Sequence, residues 1–363
     1  MLTRLSITGV RNLVGPTFEL GSAGNLFFGD NGSGKTSILE AVHLLSVGRS
    51  FRAQSARSVI SFNEDRCVVS AKLRLEKRET ALGIERGRDG SAKARVNGGA
   101  AESLSELAAL LPLVLMDADS LGLITGLPEA RRRFLDQCVF HVEQSFLPQW
   151  RRYQRALKQR NAGLRHGTLG AYDPWLDEVV AAGELITAAR ERSLALVSER
   201  FSEFAGRLSE DVAGVSIRLR CGWDKSLGLR EALEKSLLSD QTQGFTHVGP
   251  HRADLRVSCE GKPASEVMSR GQLKLTVAAL KLAQGRLLAD LGRVRPVYLV
   301  DDLAAELDAR HLSRVCAALQ DSGAQTLLTA VDRQSLAQFW PDSALKMFHV
   351  EQGKVEALPV CIE

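Results

Sequence analysis

Residues Gly29-Asp30-Asn31-Gly32-Ser33-Gly34-Lys35-Thr36 carry the spacing G-x-x-x-x-G-K-[ST], and the chemistry that fits it is capture of a nucleoside triphosphate. The glycines let the chain turn its N–H groups inward around phosphate oxygens. A helix opening at the end of the loop adds the positive end of its dipole. Lys35 is expected to reach the β- and γ-phosphates, and the hydroxyl of Thr36 to hold Mg²⁺. Ser37 follows in the same turn. The competing reading is a chance glycine-rich turn. Against it stand the apolar run Leu26-Phe27-Phe28 before the loop and the helical spacing of Ile38, Val42 and Leu45 after it.

A second group of residues must meet this loop for a reaction to occur. Val297-Tyr298-Leu299-Val300 reads as a buried strand that ends in Asp301-Asp302. Asp301 is expected to hold Mg²⁺ through water, and Asp302 to orient or deprotonate an attacking water. A plain strand ending in solvated acids is the alternative, and the glycine loop weighs against it. Ser269-Arg270-Gly271-Gln272 opens another helix, whose first-turn N–H groups form an anion-binding end. Taken alone, Ser269 would be an ordinary N-cap. The order along the chain is what gives it meaning: glycine loop, S-x-G-Q helix, apolar strand with two aspartates, then Asp308. That order resembles the ABC-type ATPase head, in which the S-x-G-Q helix of one subunit covers the γ-phosphate held by another. Small-molecule kinases carry no such second motif.

The elements that position these residues read as an α/β chain: a two-lobed P-loop ATPase head with an inserted helical arm. Residues 1–127 are expected to form the first lobe, 128–210 the arm, and 211–363 the lobe with the S-x-G-Q helix and the aspartates. Leu2 to Thr8 alternates as a strand. Arg66 to Asn97 reads as a small antiparallel sheet, with Val68, Ala71, Leu73, Leu75, Leu82 and Ile84 as its apolar positions and glycines at its turns. Leu113 to Met116 is a further strand. Residues 129–165 and 174–210 read as two long helices broken by HGTLGAYDP. At 1.5 Å per residue the second would span about 50 Å.

Bulk composition narrows the class further. The chain has 363 residues, 44% hydrophobic and 25% charged, as in ordinary globular proteins. The net charge of +4 is too small to argue for nucleic acid by itself, so local patches must carry that argument. The six cysteines (67, 138, 221, 259, 316 and 361) include no C-x-x-C pair and read as reduced thiols of a cytoplasmic protein. No run of 18 apolar residues suggests a membrane span.

Three more stretches identify a family. RLSITGVRNL resembles the opening element of SMC-like heads, with Arg11 and Asn12 at the places that approach the nucleotide. GLPEARRRFLD (126–136) and HVGPHRADL (247–255), together with GDNGSGKT, SRGQ and VDDLAAELD, resemble the RecF family of bacterial recombination mediators. SMC and RecN proteins share the head motifs but place a far longer coiled coil between them. The resemblance implies ATP and Mg²⁺ as ligands and an ATP-dependent homodimer on dsDNA at ssDNA/dsDNA junctions. It further implies that RecR and RecO help this protein load RecA on gaps coated by single-strand-binding protein, in replication, repair and the SOS response. The ATPase would be weak and stimulated by DNA, without nuclease activity.

The pattern departs from most ABC heads in three ways. Asp302 replaces the usual glutamate, implying slow turnover. Thr329 or Asp332 occupies the region of the switch histidine, and no Q-loop glutamine stands out. Two other readings stay open: a transporter-associated ATPase, and an ATP-gated DNA clamp with negligible hydrolysis.

For DNA, WRRYQRALKQRNAGLRH (150–166) carries Arg151, Arg152, Arg155, Lys158, Arg160 and Arg165 without an acid. Arg151, Arg155 and Lys158 fall on one helical face. A rival patch is Lys72, Arg74, Lys77 and Arg78, diluted by Glu76 and Glu79. His247, His251 and Cys259 lack the partners of a tetrahedral zinc site. His251 and Arg252 are read instead as organising the head interface or contacting phosphate.

Overall fold

The computed structural model describes residues 1–53, 55–76, 78–169 and 172–359. The chain begins with strands β1 (Leu2–Thr8), β2 (Thr17–Glu19) and β3 (Gly24–Phe28), followed by helix α1 (Lys35–Val47). Strands β4 (Arg66–Leu75), β5 (Arg78–Gly87), β6 (Ala92–Val96), β7 (Gly99–Ala100) and β8 (Leu113–Met116) follow. It then turns helical, with α2 (Pro128–Val142), α3 (Phe146–Arg165) and α4 (Leu176–Leu208). After β9 (Val215–Arg220) come α5 (Leu229–Gln243), β10 (Asp254–Cys259), β11 (Lys262–Pro263) and α6 (Arg270–Leu291). The last elements are β12 (Val297–Val300), α7 (Ala309–Asp321), β13 (Thr326–Ala330), β14 (Leu345–Glu351) and β15 (Lys354–Ala357).

One compact unit comprises Met1–Ser120, Arg207–Ser209 and Ala278–Glu363. It contains two sheets, ordered β2-β1-β4-β5-β6-β7 and β15-β14-β3-β13-β12-β8. The first is antiparallel. In the second β3, β8, β12, β13 and β14 run parallel, and only β15 is antiparallel. Helix α1 is buried along nearly its whole length, its polar Glu40, His43 and Ser46 included, each with a hydrogen-bond partner. Its Ile38, Leu39 and Val42 join one core with Leu5, Val69 and Ile84 of the first sheet and Phe27, Leu327 and Phe348 of the second. The glycine loop is therefore attached to this shared core.

Strand β4 alternates strictly, but in a register that differs from the sequence reading at one place. Cys67, Val69, Ala71 and Leu73 face the core, and Val68 faces out with Ser70, Lys72 and Arg74. Val68 and Ala71 have opposite parity and cannot share a face.

The other unit comprises Leu121–Gly206 and Glu210–Val277. Residues 211–277, grouped by the sequence with the aspartate strand, thus cluster with the helices. The long helix expected over 129–165 is two helices, α2 and α3, interrupted between Val142 and Phe146. Pro148 accounts for the break, because its ring would clash with the Gln144 carbonyl in a continuous helix and is accepted in a first turn. Helix α4 buries Val179, Ala182, Ile186 and Ala189 against Tyr153 and Leu157 of α3 and Leu229 and Leu233 of α5. The antiparallel sheet β11-β10-β9 completes the unit, and Arg131 of α2 pairs with Asp254 of β10 at 2.6 Å.

Candidate nucleotide site

The loop from Gly29 to Gly34 joins the end of β3 to the start of α1. Gly29 has φ +148°, and a Cβ there would lie 2.1 Å from the Val350 carbonyl oxygen. Gly34 has φ +119°, a backbone that disfavours any side chain, and a Cβ there would lie 2.9 Å from Leu13 Cδ2. Both positions therefore require glycine. Gly34 is also the N-cap of α1 and supplies no side-chain cap, so the first-turn N–H groups are left for an anion. The loop is braced from outside. Asn12 Nδ2 donates to Gly32 O at 2.9 Å, while Ser37 Oγ donates to Asn12 Oδ1 at 3.3 Å. Gly353, in the turn between β14 and β15, donates its N–H to Ser33 O at 2.8 Å and accepts from Val14 at 3.0 Å.

Two aspartates and a threonine face the loop from the neighbouring strands. Thr36 Oγ1 donates to Asp301 Oδ1 at 2.9 Å, and Thr329 Oγ1 on β13 donates to the same oxygen at 2.7 Å. The Asp302 N–H donates to Thr329 Oγ1 at 2.9 Å. Asp302 sits in the left-handed region, with φ 50°. Burial raises its pKa above the usual carboxylate range, and the Asp301 charge adds to that, with Lys35 opposing. Lys35 Nζ donates to the carbonyls of Gly29 (2.6 Å) and Asp30 (2.8 Å). Burial lowers its pKa against the pull of Asp302, Asp301 and Asp30. A cleft of about 430 Å³ opens here, lined by Arg11, Asn12, Lys35, Thr36, Arg52 and Asp302, among others. The Thr36 hydroxyl beside the Asp301 carboxylate is a hard-oxygen pair of the type Mg²⁺ takes.

Arg11 forms part of the cleft wall, but its guanidinium is committed to the fully buried Glu40, with Nε and Nη2 each 2.8 Å from a carboxylate oxygen. Ser50 donates to the same carboxylate. Arg52, two residues on, is the cleft residue that sequence reasoning missed, because no motif marks it. Of the two residues offered for the switch position, Thr329 meets the aspartates. Asp332 instead caps its own turn, accepting from Ser335 N–H at 2.8 Å. Asp117 follows β8, part-buried and accepting from Ser120 Oγ at 2.5 Å.

The S-x-G-Q segment lies in the other unit. Ser269 and Gln272 cap each other, with Ser269 N–H to Gln272 Oε1 at 2.8 Å and Gln272 N–H to Ser269 Oγ at 3.3 Å. Ser269, Arg270 and Gly271 are exposed, and a Cβ on Gly271 would meet no heavy atom within 4 Å. Asp308 is the N-cap of α7 and accepts from His311 N–H at 3.0 Å and from its ring Nδ1 at 2.6 Å.

Residues 1–356 match the RecF/RecN/SMC N terminal domain. The DNA replication and repair protein RecF of Pseudomonas aeruginosa (strain LESB58) is 45% identical over 358 residues, 98% of this chain and 97% of its own. The chain belongs to the RecF family. A second RecF relative, from Stutzerimonas stutzeri (strain A1501), is 42% identical over 361 residues, 98% of this chain and 97% of its own. A solved structure described as the recombination mediator protein RecF-ATPrS in the RecFOR pathway superposes with TM-score 0.85 at 24% identity, covering 99% of this chain and 98% of that one. An Smc head bound to the C-winged helix domain of ScpA superposes with TM-score 0.61 at 19% identity, covering 99% and 98%. The fold is thus the mixed α/β head shared by RecF and SMC proteins, as the sequence led us to expect.

Within this RecF-family chain the two basic patches differ in what is left for a ligand. On α3, Arg155 and Lys158 are exposed, as is Arg151. Arg152 forks onto Glu178, with Nη2 2.6 Å from Oε2. Arg160 is buried between Asp173 and Asp240. These two belong to the fold and are withdrawn from the basic run. On the first sheet, Lys72 and Arg74 lie on the open face of β4, and Arg4 stands directly opposite Lys72 on β1. Lys77 lies outside the described residues, as does Cys361; Cys67, Cys138, Cys221 and Cys316 are buried thiols.

His251 Nδ1 meets Tyr153 Oη at 2.6 Å and its Nε2 meets Thr246 O at 3.0 Å, while Arg252 stacks over Phe245. Both His247 and His251 are held by local partners, and no cluster of metal-ligating side chains occurs among the described residues. No described helix is long and apolar enough to cross a membrane.

Proposed function

We propose that this protein is an ATP-dependent DNA-binding factor of replication and recombinational repair, closed into a homodimer by ATP and opened by slow hydrolysis. The observation that carries the reading is the pair of half-sites. The Lys35–Asp301 cleft offers an uncapped helix end and paired carboxylates, and Ser269–Gly271 is a second anion-binding helix end left open to solvent. Each molecule would supply Gly29 through Ser37, Asp301 and Asp302 to one nucleotide, and Ser269, Arg270, Gly271 and Gln272 to its partner's. Asp308, exposed at the start of α7, would lie at the same junction.

Within the site the roles follow from the geometry. The loop and α1 hold the phosphates, and Lys35 exchanges its two carbonyl partners for phosphate oxygens. Thr36 and Asp301 would hold Mg²⁺, which when bound neutralises phosphate charge as bonding to the leaving oxygen weakens. Asp302, with its raised pKa, is suited to orient a water and accept its proton. Its short side chain and left-handed backbone fit a slow reaction.

DNA is assigned to the open face of the first sheet. Like charges directly opposite in a sheet are destabilising, yet Arg4 and Lys72 face each other, with Arg74 two residues on. Their acidic neighbours, Glu19 at 3.7 Å and Glu79 at 3.9 Å, are highly exposed and contribute little. Ser70 and Gly83, paired on the same face, keep its middle low enough for a phosphate backbone. Arg151, Arg155 and Lys158 form a second, smaller set. A preference for ssDNA/dsDNA junctions and cooperation with RecO and RecR in loading RecA follow from the family reading.

Sedimentation with and without ATP tests the composite site. Wild type is expected to dimerise only with ATP, and Lys35→Met and Ser269→Arg to stay monomeric. Normal dimerisation of Ser269→Arg would refute the shared site. A turnover that remains at background with duplex DNA, and is unchanged in Asp302→Asn, would favour an ATP-gated clamp over an ATPase.

A further inference from the structure

We propose that Thr329 is a positioning residue that sets both aspartates of the nucleotide site through one buried hydroxyl. The inference rests on the ATPase reading above and gives a specific role to the residue in the region of the switch histidine. Thr329 is 0% exposed, on β13, with β12 and its terminal aspartates alongside. Its hydroxyl uses both of its hydrogen-bonding capacities at the site. The proton goes to Asp301 Oδ1 (2.7 Å), and a lone pair takes the backbone N–H of Asp302 (2.9 Å).

The two bonds act on different things. The first, with the Thr36 hydroxyl on the same oxygen at 2.9 Å, fixes the Asp301 side chain by Oδ1 and leaves Oδ2 for a metal-bound water. The Asp301 backbone is already held by its N–H on Met116 O at 2.8 Å, so the remaining freedom is in the side chain. The second bond holds the peptide of Asp302, the residue at φ 50°. That conformation is unfavourable for a residue with a Cβ, and persists where surrounding bonds determine it. Releasing the N–H would let the turn relax and swing the Asp302 carboxylate from its place. The phosphate cradle of Gly29 through Lys35 has no bond to Thr329 and should not respond.

This separation makes the role measurable. Fluorescent ATP-analogue binding would be followed in EDTA and across a Mg²⁺ titration, with turnover in parallel, for wild type, Thr329→Val and Thr329→Ser. For Thr329→Val, affinity in EDTA should stay within about twofold of wild type and KM for ATP should hold. The Mg²⁺ half-saturation point should rise and kcat should fall, together by roughly 10- to 100-fold, the usual range for residues that orient metal ligands. Thr329→Ser, which keeps the hydroxyl, should stay near wild type.

If Val destabilises the strand, Thr329→Ala against Thr329→Ser makes the same comparison at equal loss of the methyl group. The proposal is overturned if the hydroxyl-free variants keep the wild-type Mg²⁺ dependence and kcat. It is equally overturned if Ser loses as much as Ala, since packing would then be responsible. Turnover at background in wild type and Asp302→Asn alike would sink the ATPase reading alone, and the Mg²⁺ dependence of binding would still decide the place of Thr329.

Discussion

Arg160 distinguishes a charge that builds the fold from one that serves a ligand, although its sequence neighbours are exposed basic residues. Its side chain is 1% exposed; Nε lies 2.7 Å from Asp173 Oδ2 and Nη1 2.8 Å from Asp240 Oδ2. Nη1 also lies 2.6 Å from Thr246 Oγ1. Arg160→Met keeps much of the apolar stem and strands two buried carboxylates. Removing one partner of a buried ion pair costs about 3–5 kcal/mol. Asp240 retains the His247 N–H and ring nitrogen and a Ser236 hydroxyl, which argues for the lower half of that range. For a unit of this size each kcal/mol moves the midpoint by about 2–4 °C. Calorimetry should therefore show a fall of roughly 6–16 °C, while the exposed Arg155→Ala melts like wild type. Adding Asp240→Asn to Arg160→Met should restore part of the loss by removing one stranded charge. A midpoint within about 2 °C of wild type, or lost DNA affinity without lost stability, would refute this assignment.

Further outcomes follow from other parts of the structure. Burial holds His43, His141 and His251 down at about 4. A base whose folded pKa is depressed loses stability as pH falls from its unfolded value near 6.5 toward 4. Denaturant titrations should therefore show stability falling through that window, with roughly three protons taken up on unfolding near pH 5; a flat profile from pH 6.5 to 5 would count against buried neutral histidines. Gly353→Ala would place a Cβ 1.9 Å from Asn12 O at φ +80° and push the turn off the glycine loop, so its ATP affinity should drop at least tenfold by isothermal titration. Lys72→Glu with Arg74→Glu should weaken duplex binding in anisotropy measurements and flatten its salt dependence by about two phosphate contacts. Arg155→Glu with Lys158→Glu should do less; the reverse ranking would move the DNA to α3.

The parts of the fold legible in the sequence were those where chemistry restricts residue type. Gly29 is fixed by close backbone approach and Gly34 by its positive φ, Thr36 and Asp301 by a shared hydrogen bond, and β3 and β12 by near-complete burial. What escaped depended on long-range contacts. Arg11 carries the expected motif, but only the fold shows that Glu40, a mid-helix residue, takes its guanidinium. Arg160 looked like its exposed neighbours because Asp240 and Thr246 lie far along the chain. Pro148 was a local signal for the break between α2 and α3, and a run of helix-forming residues on both sides masked it. Thr329 was marked only by its place in the switch region, undecided against Asp332, since a threonine inside a β-strand is ordinary until its hydroxyl is found bonded to both aspartates.

The two anion-binding helix ends are prepared differently, and the difference orders the events proposed for them. At α1 the N-cap is a glycine with no side chain to offer, so the first-turn N–H groups have no competing intramolecular acceptor. A triphosphate can bind there without displacing a cap. At α6 the Ser269–Gln272 pair satisfies the end internally, so an isolated molecule gains less from an anion at that end. The Ser269 hydroxyl accepts in that pair and keeps its own proton, and a hydroxyl can donate and accept at once. Ser269 can therefore donate to a phosphate already held by a second molecule without breaking its cap. Loop binding should come first and pairing second. Ser269→Ala should accordingly leave ATP affinity of the monomer nearly unchanged and weaken ATP-dependent dimerisation, whereas Ser269→Asp, still a good N-cap but a repelling charge, should abolish pairing at undiminished thermal stability. Equal losses of monomer affinity in both variants would put Ser269 outside this sequence of events.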